Sequence, residues 1–106
     1  MTNGPSSKYK PKVYHGIRRC ILTTLYHYFK KVPYAAIELT QIAEDCRIDA
    51  GELNWNIVYL EKSELVELAK SHADPPFVSP SAVITAKGID LIEDDDQFNT
   101  RFPQYP

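Results

Sequence analysis

Apolar side chains return every three to four positions over residues 14–31, YHGIRRCILTTLYHYFKK, where Ile17, Ile21, Leu25, Tyr28 and Phe29 make one stripe. That spacing predicts a first long helix. Cys20, Leu22 and Tyr26 widen the stripe, which suggests a second contact with another subunit. Lys30 and Lys31 suit the negative end of the helix dipole. Pro33 ends the helix, because it disfavours α geometry at Val32. A short edge strand is expected at 34–38. Thr40, a favoured capping residue, then opens a second helix to about Arg47, with Ile42, Ala43 and Cys46 on one face. The period breaks at 48–51. Asp49 caps a third helix to about Lys62, with Leu53, Ile57 and Leu60 facing inward. Glu64 stands where glycine is the easy terminator, which predicts a strained turn.

Two strands are expected at 65–69 and 82–84, around the loop KSHADPPFVSPS. Its three prolines suit an exposed loop and discourage further pairing. Thr85 predicts the cap of a last helix over 85–96. Gly88, inside its first turn, costs about 1 kcal/mol against alanine, a cost that a close helix approach would explain. Four acids at 93–96 oppose the dipole at that helix's C-terminus and predict fraying. Phe98, Phe102 and Tyr105 are able to fold back onto the domain or a partner, but the polar spacing around them favours a loose tail. The expected organisation is an arm at 1–12, one domain at 13–97 and a tail at 98–106. The class is α+β and mostly helical.

A chain of 106 residues with 43% hydrophobic side chains has the means for one core. No apolar run approaches the roughly 20 residues of a membrane span. The first twelve residues hold no apolar segment of a secretory signal, so the cytoplasm is the expected location. Cys20 and Cys46 fall on apolar helix faces and read as small buried hydrophobes. A thiol sensor built on either would need an exposed, electropositive cysteine.

The net charge of −2 hides an asymmetry: residues 1–31 carry +7 and residues 32–106 carry −9. A uniformly basic nucleic-acid binder is excluded; a basic arm on an acidic body is not. The arm interleaves Lys8, Lys10 and Lys12 with Tyr9, a pattern open to two readings: a phosphate-tracking segment or a solubilising tail. Chemistry of other kinds finds little support. His15, His27 and His72 lack metal-type spacing, and His27, within an aromatic helix, reads as structural. No phosphate loop, Cys-x-x-Cys pair or nucleophile elbow occurs. No enzyme activity, metal or cofactor is expected.

Three strings carry a family likeness: Leu39-Thr40-Gln41-Ile42-Ala43-Glu44, the passage Tyr59 to Glu67, and Ile84-Thr85-Ala86-Lys87-Gly88-Ile89. In this order and spacing, they resemble the winged helix-turn-helix domain of MarR- and PadR-type transcriptional regulators, over roughly 14–96. The resemblance implies a three-helix core, a small β-wing at 69–81 and a C-terminal helix. It also implies a DNA-recognition helix at 50–62 and a homodimer through helices 14–31 and 85–96. Two features depart from the family: Glu64 in place of the usual glycine, and the charge. On the expected recognition helix, Glu52, Asn54, Trp55 and Tyr59 face outward, with Asn56 at the boundary. Asn pairs with adenine and Glu accepts from cytosine in a major groove. No positive charge falls between Arg47 and Lys62, so phosphate contacts would rest on Lys8, Lys10, Lys12, Arg18, Arg19, Arg47, Lys70 and His72. The alternative is an interaction module without DNA. Trp55 and Tyr59, four apart on one face, then bury against the first helix or the wing, or form a protein-binding patch.

Overall fold

The computed structural model describes residues 13–104, so Lys8, Lys10, Lys12 and Tyr105 lie outside the described residues. Among the described residues, five helices and a three-stranded antiparallel sheet make an α+β fold. In chain order they are α1 (Val13–Lys31), β1 (Ile37–Glu38), α2 (Leu39–Cys46), α3 (Ala50–Lys62), β2 (Val66–Leu68), β3 (Ser81–Ile84), α4 (Ala86–Glu93) and α5 (Asp95–Arg101). Strand order is β1-β3-β2, with Ile37 opposite Ala82 and Val66 opposite Ile84. The sheet holds together one edge of a core built from Ile21, Leu22 and Leu25 of α1, Leu39 and Ile42 of α2, and Leu53, Ile57 and Leu60 of α3. No described helix is long and apolar enough to cross a membrane.

The ends of the helices show how local chemistry sets the frame. Asp49 accepts from Glu52 N at 2.8 Å, and Thr85 accepts from Gly88 N at 3.0 Å, as the sequence predicts. Thr40 caps nothing. The second helix begins one residue earlier, at Leu39, whose N–H donates to the Pro80 carbonyl at 3.1 Å. Arg47 (φ 56°) and Glu64 (φ 67°) both end helices in the left-handed region. At each end two backbone bonds close the last turn: Ile48 to Ala43 and Arg47 to Glu44, then Leu65 to Leu60 and Glu64 to Glu61. The strain expected at Glu64 is present. Gly88 has no room for a side chain: a Cβ there would collide with the Leu65 carbonyl and lie 2.8 Å from Ile84 Cγ1. This close approach lets α4 pack on the β2 entry.

Three expectations need correction. The last helix does not run to 96 and fray. It stops at Glu93, and Asp94 caps a new helix by accepting from Gln97 N at 3.1 Å. Asp95 and Asp96 then sit in the first turn of α5, where the dipole favours acids. The expected loose tail is part of the core over 98–102: Phe98 and Phe102 are buried, and their rings meet edge to face. Arg19 fastens this helix to α1, donating to Asn99 Oδ1 and to the Phe102 carbonyl, both at 2.9 Å. The extra apolar width of α1 is therefore used, at least in part, within the chain. Finally, Cys20 and Cys46 are not merely small hydrophobes. They are joined as a disulfide between α1 and α2, with Cα atoms 5.9 Å apart.

Candidate functional site on helix α3

Helix α3 exposes one face, and α1 supplies the group that organises it. Tyr14 and Arg18 are one turn apart on α1; Trp55 and Tyr59 are one turn apart on α3. The four side chains interleave. The Arg18 guanidinium lies 3.7 Å from the Tyr59 ring centroid, 4.5 Å from that of Tyr14 and 5.3 Å from that of Trp55. The Tyr14 and Trp55 rings meet edge to face at 5.6 Å. Arg18 is only 7% exposed, and its Nε donates to Asn56 Oδ1 at 3.0 Å. Asn56 is fully buried and donates in turn to the Glu52 carbonyl at 2.7 Å. A cation is thus held out of water by aromatic faces and one amide oxygen. Burial pulls the Arg18 pKa below its ordinary value, with Tyr59 and Tyr14 opposing. Arg101 of α5, followed by Ser63, holds the Tyr59 phenol below its usual pKa.

The loop between β2 and β3 is tied to the same helix. Asn54 donates from Nδ2 to the Pro76 carbonyl at 2.8 Å, and its Oδ1 accepts from Val78 N at 3.1 Å. Inside the loop, the Ser79 hydroxyl lies 2.9 Å from the Ala69 carbonyl and 3.1 Å from that of Ser81. Trp55 (48% exposed) and Tyr59 (38%) stay half-exposed on this frame, and Val78 (49%) is exposed in the loop that Asn54 holds.

Four of the nine described residues expected to contact DNA are engaged within the chain. Arg18 is buried in the aromatic stack, and Arg19 anchors α5. Asn54 spends both ends of its amide on the β2–β3 loop. Lys70 donates to Glu61 at 2.7 Å, which holds that carboxyl below its usual pKa. Arg47 is exposed at the α2–α3 turn, His72 is exposed on the β2–β3 loop, and Glu52 is exposed in the first turn of α3. His27, expected to be structural, is exposed.

Sequence reasoning missed Tyr14, Val78 and Arg101, and it put at the boundary an Asn56 that is fully buried. Tyr14 and Arg18 at i and i+4 carried a usable signal, since their spacing matches that of Trp55 and Tyr59. Among the described residues, no group of three or more His, Cys, Asp or Glu side chains is arranged to hold a metal ion. No protein-family model, no curated protein and no solved structure matches the chain.

Proposed function

We propose that the chain is a winged-helix domain working as a protein-interaction module, its docking face being Trp55, Tyr59 and the wing residue Val78. The element order and the β1-β3-β2 pairing support the winged-helix reading, with 69–80 as the wing. The observation that carries the function is that α3's outer face is aromatic and rigidly backed, while its hydrogen-bonding amides point inward or to the wing. Half-exposed Trp and Tyr on a fixed frame are the side chains that dominate protein hot spots. A groove-reading helix uses its N-terminal residues and a cationic rim. Here that end carries Asp49 and Glu52, both exposed. The reading includes no catalysis, and it takes the cytoplasm as its setting. The homodimer through 14–31 and 85–96 loses part of its support, since Tyr26 donates to Glu93 at 2.7 Å and α5 covers α1 within one chain.

One observation favours a second reading, binding of double-stranded DNA to regulate transcription. Helix α1 begins beside Trp55, and Lys8, Lys10 and Lys12 directly precede it in sequence. The test is fluorescence anisotropy of a labelled mixed-sequence duplex with the full chain at low and moderate salt. The interaction reading expects no salt-dependent binding tighter than roughly 10⁻⁴ M, the weak end of non-specific association. Tighter binding lost on Trp55→Ala establishes the DNA reading instead. For the partner, a photo-crosslinking side chain in place of Trp55 identifies the protein held against this face. With that partner purified, Tyr59→Ala should weaken binding at least tenfold, and Thr100→Ala should not.

A further inference from the structure

We propose that Cys20 and Cys46 form a reversible oxidation site for hydroperoxides, in which closing the disulfide clamps α2 to α1 and reduction releases it. The backbone is already placed for the bond: a Cα separation of 5.9 Å lies in the usual span of about 5.5–6 Å. The pair is also reachable. Both cysteines are partly buried and line an open groove of about 740 Å³, whose walls include Ile17, Thr24, His27 and Tyr28. That groove admits a small peroxide. The Thr24 hydroxyl sits 3.9 Å from Cys20 Sγ and 3.6 Å from Cys46 Sγ.

Either sulfur can serve as the nucleophile, with the other as the resolving thiol. One cysteine, as its thiolate, attacks the nearer peroxide oxygen. The O–O bond breaks, the alkoxide or hydroxide leaves and takes a proton from water, and that cysteine becomes a sulfenic acid. The second cysteine's sulfur then displaces the hydroxyl as water, using its own thiol proton, and the S–S bond forms. A cellular thiol reverses the step by exchange, and its own disulfide is the product. In a reducing compartment the pair rests as the dithiol and closes only under oxidant. Cys46 is the last residue of α2 and adjoins the turn that leads to α3, so the clamp bears on the element carrying the docking face.

The experiment uses the full chain, reduced with dithiothreitol, desalted and treated with stoichiometric hydrogen peroxide. Intact mass should fall by two hydrogen atoms, both thiols should vanish together, and dithiothreitol should restore both without denaturant. The reduced form should melt roughly 10 °C or more below the oxidised form. At least one of Cys46→Ser and Cys20→Ser should leave, on the remaining cysteine, a sulfenic acid that dimedone captures. Oxygen added to either cysteine without the crosslink overturns the proposal. So does a bond formed only between two chains, or one that dithiothreitol reduces only after unfolding. The wild-type mass and reversal assays stand even where a serine variant fails to fold.

Discussion

Replacing Arg18 by Met isolates the group that binds α1 to the exposed face of α3. Methionine keeps the apolar stem and its packing while removing the guanidinium. Two interactions disappear. The Nε donor to Asn56 Oδ1, at 3.0 Å, is a charge-assisted bond worth about 1.5–3 kcal/mol, and losing it leaves a buried carbonyl oxygen without its partner. The stack against Tyr59, Tyr14 and Trp55 adds about 0.5–2 kcal/mol. Against these stands the relief of no longer burying a cation, the leading cause of the lowered Arg18 pKa. The net expectation is a loss of about 2–4 kcal/mol, which lowers the urea midpoint by at least about 1 M at an m-value of 1–2 kcal/mol/M. Trp55 is the one tryptophan in the chain and touches the stack, so its fluorescence reports both unfolding and the local change. The decisive variant is Arg18→Met with Asn56→Leu. Removing both partners of a buried hydrogen bond is far milder than removing one. The double variant should therefore recover at least about 1 kcal/mol relative to the sum of the single ones. Strict additivity, or an Arg18→Met loss below about 0.5 kcal/mol, refutes the claim that this network holds the face in place.

Other outcomes follow from the helix ends and the core. Phe102→Ala should cost about 3–5 kcal/mol in chemical denaturation, because its ring is 1% exposed within the core; a loose tail would lose almost nothing. Gly88→Ala should destabilise by at least about 1 kcal/mol, since the added carbon meets the Leu65 carbonyl rather than a movable side chain. Glu64→Gly should raise stability by about 1 kcal/mol, by relieving a positive φ, less the small value of an exposed ion pair with Lys87. For pH, Lys70 and the Leu68 amide depress the Glu61 pKa in the folded chain. That stabilisation is complete above the ordinary value of 4.5 and is lost as pH falls through the folded value. Melting curves of wild type and Glu61→Gln should therefore differ at neutral pH and converge in acid.

The period of apolar positions determined a great deal on its own. It located α1, α3 and the β2–β3 pair, because each buries a stripe or alternation that only one secondary structure can present. Asp49 and Thr85 marked helix starts, and Glu64 marked a strained stop, because capping is chemistry between near neighbours in the chain. What escaped was decided by partners distant in sequence. The acids at 93–96 oppose one helix and favour another, and only the burial of Phe98 and Phe102 against α1 selects the second arrangement. Arg18 lies 38 positions from Asn56, and Cys20 lies 26 from Cys46. In the sequence Arg18, Asn54 and Lys70 look like groups free to meet a nucleic acid. Tertiary packing engages each of them within the chain: Arg18 is buried against Asn56, Asn54 bonds the 76–78 loop, and Lys70 pairs with Glu61 at the surface. The face left over is aromatic rather than cationic. That outcome depends on how α1 crosses α3, a geometry that hydrophobic period does not encode.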